Sequence, residues 1–374
     1  MSGNRFEFLE FGENEKQAGN VSETASPTDL PALPAEARGD GTALAQVRVS
    51  DPRGYQAFLH EAEDAPSLSR SAHEGAVGLR VVEMFGERGS GAGQFNFPTG
   101  IAVDSSGVLF VADSYNHRLQ RITPNGGVAT IGGRGPGRGQ FLSPQGIAVD
   151  AQQAFYVVEQ GNNRVQKFSA HGVLELVFGK PGRGLGELQG PTGIAVAPES
   201  GDIFVADTGN NRIQRFSREG RFLNIVGAAG RLSGPQAVAV DASASLYVAD
   251  TFAQRVLRYD PLGRLLGQYG GRSGVAFFQP RALAIDPAGL LYVADGGNTT
   301  PGSETLGRVQ GVDVVSGLGR LSVERPGRGL NPIGRPGGLA MGLPTVESAS
   351  RGIVRRDVYV ADTINHRLLR FAPI

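Results

Sequence analysis

Asp113, His117 and Arg118 put a carboxylate, an imidazole and a guanidinium within six residues of one another. That grouping invites a catalytic reading, but it does not stand alone. An acid followed five residues later by arginine returns as Glu159/Arg164, Asp207/Arg212, Asp250/Arg255 and Asp362/Arg367, and Asp295 is parted from Arg308 by an insertion. Each acid closes an apolar run and each arginine opens the next, across a short turn. The two are expected as cross-strand neighbours in one hairpin, where an opposite-charge pair contributes roughly 0.2–1 kcal/mol. The carboxylate can also accept from loop N–H groups. Recurrence in every repeat assigns the pair to structure.

Of the five histidines, His60 and His73 fall in the N-terminal segment and His171 in a turn. His117 and His366 occupy the same loop of two repeats, where Asn163 and Asn211 stand elsewhere. A metal site needs three or four converging ligands, and these two imidazoles are a poor fit to one.

The elements that carry these residues repeat. Pro-x-Gly-Ile-Ala-Val-Asp at Pro98 to Asp104 returns from Pro144 and, altered, from Pro191, Pro235, Pro280 and Pro336. Successive prolines are 46, 47, 44, 45 and 56 residues apart by subtraction, a period of propeller or solenoid size. The first copy reads as four short strands, Gly100 to Val103, Leu109 to Ala112, Arg118 to Ile122 and Val128 to Ile131, separated by Gly/Asn/Asp/Pro turns. Strands one and two are apolar at nearly every position, so both faces must be covered, as when blades stack around a ring. Alanine at the third position of strand one (Ala102, Ala148, Ala195, Ala239, Ala284) suits a narrow inner radius.

Strands one to three can be counted six times, strand four only five. The sixth repeat stops after its third strand at Phe371. Leu79 to Gly86, at the other end, aligns with the fourth strands Val173 to Gly179 and Arg264 to Gly270. The predicted fold is therefore all-β, a six-bladed β-propeller of four-stranded antiparallel blades whose last blade is closed by the N-terminal strand 79–86. Closure removes exposed sheet edges. Two irregular stretches, Gly296 to Leu306 and Leu343 to Arg356, read as insertions in blades five and six.

The Pro-x-Gly-Ile-Ala-Val-Asp and Val-Ala-Asp stretches, with Asn-His-Arg or Asn-Asn-Arg at 116–118, 162–164, 210–212 and 365–367, resemble the NHL-repeat family across about 79–374. The resemblance implies a six-bladed propeller and, for most members, a binding platform. The animal tripartite-motif relatives bind RNA or protein. A minority resemble lyases or lactonases with a metal in the central channel. The cysteine-dependent RING and B-box domains of the animal relatives have no counterpart here, because the chain has no cysteine, so a ubiquitin-ligase role is unsupported.

A channel metal would draw on the start of the first strands, where the sequence offers Thr99, Gln145, Thr192, Gln236, Arg281 and Gly337. No carboxylate appears in that ring, which argues against a hard cation. No cofactor is expected, and enzyme activity is the less favoured reading. The Gly-rich connectors 132–139, 180–184 and 325–329 lack the helix N-terminus that a phosphate loop needs. They read as tight crossings between blades.

The connectors and the turns between strands two and three should emerge on one rim. That rim gathers Arg88, Arg134, Arg138, Lys180, Arg183, Arg231, Arg272 and Arg328, with Tyr115 and Phe252 beside them. Basic charge interleaved with aromatics suits single-stranded nucleic acid, and arginine also suits carboxylate-bearing partners. A protein or other polymer is the expected partner, with RNA second and a metal-dependent lyase or lactonase as the rival from another class.

Residues 1–76 form a separate regime, rich in Ser, Pro, Ala, Glu and Gly, with 13 acidic and 6 basic residues and hence a net of −7. With no sustained period, this segment is expected to stay largely disordered. Its acidity suits a contact with the basic rim of the 77–374 propeller, and its clusters at Phe6 to Phe11 and Tyr55 to Leu59 suit docking or folding back. No secretory signal and no apolar run of membrane-spanning length stands out, so the expected setting is the cytoplasm.

Overall fold

The computed structural model describes residues 78–227, 231–270, 275–297, 306–325, 331–344 and 356–373. They form six four-stranded antiparallel sheets arranged as a β-propeller. In blade one the strands Pro98–Val103, Leu109–Asp113, Arg118–Ile122 and Val128–Ile131 lie side by side in chain order, innermost to outermost. The first strands of the six blades, beginning at Pro98, Pro144, Ile194, Pro235, Pro280 and Pro336, touch one another in cyclic order around the axis.

The second strands explain why the sequence shows unbroken apolar runs instead of alternation. Each is covered by a neighbouring blade on both faces, and Leu109–Asp113, Phe155–Glu159, Ile203–Asp207 and Leu246–Asp250 are buried at every position. The core accordingly lies between blades: Phe110 stacks on Phe155 with ring centroids 4.6 Å apart, and Phe178 meets Phe216 at 5.0 Å.

The N-terminal strand closes the ring. Leu79–Phe85 pairs antiparallel with Arg367–Pro373, from Leu79 opposite Pro373 to Phe85 opposite Leu368, so the last blade is built from both ends of the described chain. Arg370 reinforces the seam by donating from Nη1 to Glu83 Oε2 at 3.1 Å.

The tightest approach at the axis falls on the glycine of Pro-x-Gly, two residues before the alanine singled out above. A Cβ on Gly146 or Gly193 would sit 2.5 Å from the carbonyl oxygens of Thr192 and Gln236 in the next blade, and Gly100 and Gly338 are more crowded still. Hydroxyls also tie blade to blade, a role not read from the sequence. The residue after the Val-Ala-Asp acid donates to the carbonyl of the next blade's first proline: Thr208 to Pro235 at 2.7 Å, Thr251 to Pro280 at 2.6 Å and Thr363 to Pro98 at 2.7 Å. Residues 1–76, with both aromatic clusters, lie outside the described residues, as do 298–305 and 345–355 of the two inserted stretches.

Candidate functional site

Strand register decides which loops share a face. Pro98 lies opposite Asp113, Asp113 opposite Arg118, and Leu119 opposite Ile131. The start of strand one, the turn between strands two and three, and the end of strand four therefore meet at one end of the blade. The connectors between blades leave from that end, which we call the crossover face.

The repeated acid–arginine pairs sit just beneath it, and they are more than hairpin fasteners. The carboxylates of Asp113, Glu159, Asp207, Asp250, Asp295 and Asp362 have no solvent exposure. Asp207 accepts from Arg212 Nε at 2.7 Å, Asn210 Nδ2 at 2.9 Å, Gln214 Nε2 at 3.0 Å and the backbone N–H of Gln189 at 2.7 Å. The last donor belongs to the connector arriving from the previous blade. Arg212 also grips that connector, giving Nη1 to the carbonyl of Arg183 and Nη2 to those of Gly184 and Glu187. Each hub thus welds strand two, strand three and the incoming connector together. Removing one partner of such a fully buried, hydrogen-bonded ion pair leaves a buried charge uncompensated and costs about 3–5 kcal/mol, against the roughly 0.2–1 kcal/mol of an exposed cross-strand pair. The insertion in blade five leaves the pair intact, with Asp295 opposite Arg308.

His117 and His366 are clasps as well. Both adopt the left-handed conformation, at φ 54°. His117 Nδ1 accepts the N–H of Ser143 at 3.0 Å, and His366 Nδ1 accepts that of Phe97 at 3.1 Å, each across a blade seam. Asn163 and Asn211 do the same with Oδ1, accepting from Gly190 and Gly234 at 2.7 Å. Burial lowers the pKa of both histidines, aided by Arg134 at His117 and by Arg88 at His366, where Asp113 opposes.

What remains for solvent is the rim. Arg88, Arg134, Arg138, Lys180, Arg183 and Arg231 are exposed on the connectors, and Tyr115 and Phe252 are exposed on turns between strands two and three, at 58% and 67%. Lys180 pairs with Glu187 at 3.3 Å and Arg183 donates to the Gln189 side chain. Among the described residues Arg88, Arg134, Arg138 and Arg231 have no carboxylate within ion-pair distance. Arg272 and Arg328 lie outside the described residues.

Inside the rim, on the axis, is a cavity of about 400 Å³. Its wall includes the six ring positions Thr99, Gln145, Thr192, Gln236, Arg281 and Gly337, and also Arg335, which the sequence reading missed. Arg335 immediately precedes the proline that opens blade six, the position held by Phe97 in blade one, so alignment of the repeats was the signal available. No acidic or histidine side chain lines the cavity, and no cluster of three ligating side chains occurs among the described residues. Two guanidiniums repel a divalent cation, so the described donor set does not fit a divalent metal in the channel.

The family model described as NHL repeat matches residues 95–122, 141–168 and 188–216, which run from the connector through strand three of blades one to three. No curated protein matches the chain. Among solved structures it is similar to a streptogramin B lyase, at 14% identity over 80% of this chain and 98% of that one, with a TM-score of 0.54. It is also similar to virginiamycin B lyase from Staphylococcus aureus, at 13% identity over 80% and 100% with a TM-score of 0.52. A protein of unknown function from Bacteroides thetaiotaomicron is 16% identical over 80% and 76%, with a TM-score of 0.59. At such identities the likeness is one of fold.

Proposed function

We propose that this chain, an NHL-repeat β-propeller, is a non-catalytic binding scaffold whose crossover rim receives an acidic protein segment or another anionic polymer. One observation carries the reading: four exposed arginines without carboxylate partners among the described residues share the crossover face with exposed Tyr115 and Phe252. Arginine and aromatic side chains are the residues over-represented at the energetic centres of interfaces. Arginine presents a planar fork that matches carboxylate and phosphate oxygens in pairs. The scaffold beneath is rigid, because every connector that bears a rim arginine from blades six, one and two is tied down by the following blade's buried hub. Such a surface binds without the cost of ordering its loops, leaving only that of its side chains.

The lyase-type reading of the channel finds no support in the cavity's side chains, since among the described residues neither a carboxylate nor an imidazole lines it. The test is affinity capture from the native cell with the wild-type chain and with R88E/R134E/R138E/R231E, reading bound protein and RNA together. The expected result is a protein partner retained by the wild type and lost with the variant. Retention of the same set by both overturns the reading, and loss of RNA alone turns it to nucleic acid.

A further inference from the structure

We propose that the axial cavity at the crossover face is a binding site for a small organic oxyanion, a carboxylate or a phosphate monoester, held by Arg281 and Arg335. The inference stands apart from the rim and does not depend on what the rim receives.

The cavity's volume of about 400 Å³ falls within the usual range for small-molecule sites. Among the described residues its charge is of one sign, because Arg281 and Arg335 line it and no acidic side chain does. Both arginines come from adjacent blades, five and six, so positive charge is concentrated on one wall. The rest of the wall is neutral and polar or aliphatic.

Arg281 is oriented by neutral partners. Its Nη1 donates to Gln236 Oε1 at 3.1 Å and its Nη2 to Gln279 Oε1 at 2.8 Å. Two amide oxygens fix the plane of the guanidinium without cancelling its charge. Arg335 goes further, for its guanidinium has no hydrogen bond or ion pair among the described residues. The Nε atoms of both arginines are buried without a hydrogen-bond partner. Burial also lowers the pKa of Arg335, the mark of a cation stripped of water without a counter-charge.

Partial desolvation of a cation without compensation is costly. At the six blade hubs it is avoided: Arg118, Arg164, Arg212, Arg255, Arg308 and Arg367 all face buried carboxylates. At the axis the carboxylate is the missing half. An oxyanion entering from the crossover face supplies it, and a guanidinium pairs with two oxygens of a carboxylate or phosphate at once. Thr99 and Thr192 already donate to backbone carbonyls at the seams, so the arginines are left as the principal donors. Gln145 adds an amide to the same wall.

The test is isothermal titration calorimetry of the full chain with two probes, inorganic phosphate and succinate, at low ionic strength with chloride constant. Saturable binding of one anion per chain is expected. Preference between the two probes identifies which oxyanion chemistry the site takes. R335Q and R281Q should each weaken binding by roughly 10- to 100-fold, the equivalent of one charge-assisted hydrogen bond. The rim variant R88E/R134E/R138E/R231E should keep it within about threefold, which separates this site from the proposed function. Because the cation is uncompensated, R335Q should melt at or above the wild-type temperature without ligand, and that comparison holds even where R281Q perturbs folding. No saturable binding of either probe at 10 mM, or equal affinity in the wild type and R335Q, overturns the proposal.

Discussion

Acidification should loosen the propeller at two of its seams, and a pair of asparagines should prevent it. His117 and His366 each use Nδ1 as an acceptor for an N–H of the next blade's connector. A protonated imidazole has no acceptor, so each clasp becomes donor against donor. Burial, with the fields of Arg134 and Arg88, holds both groups below the ordinary imidazole value. The unfolded chain therefore takes up these protons at a higher pH, near 6.5. Between that value and the depressed folded one, the unfolded state binds more protons and stability rises with pH. The clasps contribute fully above about pH 6.5 and are lost as pH falls through the folded pKa. A part-buried neutral hydrogen bond contributes about 1 kcal/mol, so two clasps amount to about 2 kcal/mol. For a propeller of about 300 residues, with an unfolding entropy of about 2.1 cal/mol/K per residue, that is a Tm change of roughly 3 °C. H117N/H366N keeps an acceptor, copying Asn163 and Asn211, and tolerates the left-handed backbone. Calorimetric melts at pH 7.5 and pH 5.0 read the effect. The wild-type fall in Tm should exceed that of H117N/H366N by those few degrees, with near-equal values at pH 7.5. Equal falls in the two proteins would refute the clasp argument.

The buried hubs and the ring closure make further demands. Asp207→Ala strips four donors of their acceptor and should cost about 3–5 kcal/mol, read as a lower urea midpoint; a loss under 1 kcal/mol returns the hub to an ordinary surface pair. A chain beginning at residue 77 should melt close to the full-length protein, whereas one beginning at residue 87 loses the strand that pairs with Arg367–Pro373. That shorter chain should melt well below the other or self-associate through its bared edge. Equal melting of two monomeric chains contradicts the closure.

The fold was legible because the repeat imposes one pattern on every blade. Strands such as Arg118–Ile122 and Val128–Ile131 match the expected bounds residue for residue, and Leu79–Phe85 closes the last sheet. The site was legible only as far as chain neighbours reach. Asp113 and Arg118 are close in sequence, so their pairing could be read. The burial of Asp113 depends on the connector residue Asn96, whose N–H meets Oδ1 at 2.7 Å, and separation along the chain hides that contact. His117 was seen to share a position with Asn163, but its acceptor role needs the backbone of Ser143 in the next blade. Arg335 escaped because an arginine is common in this sequence: repeat alignment places it at the position of Phe97, but its half-burial without an acid among the described residues is visible only in three dimensions. The glycine of Pro-x-Gly was passed over for alanine because close approach at the axis is set by the neighbouring blade's carbonyl.

The central claim, that the crossover face is the binding face, is tested most directly by charge reversal on the two ends of the propeller. Arg218 and Arg221 lie exposed on the opposite face, on the turn between the third and fourth strands of blade three. Fluorescence anisotropy with a labelled polyglutamate peptide and a labelled oligouridylate compares the wild type, R88E/R134E/R138E/R231E and R218E/R221E at several salt concentrations. The peptide should bind the wild type and R218E/R221E alike and lose at least tenfold in affinity with the rim variant, the equivalent of about 1.4 kcal/mol. Equal loss in both variants, or none in either, contradicts the account.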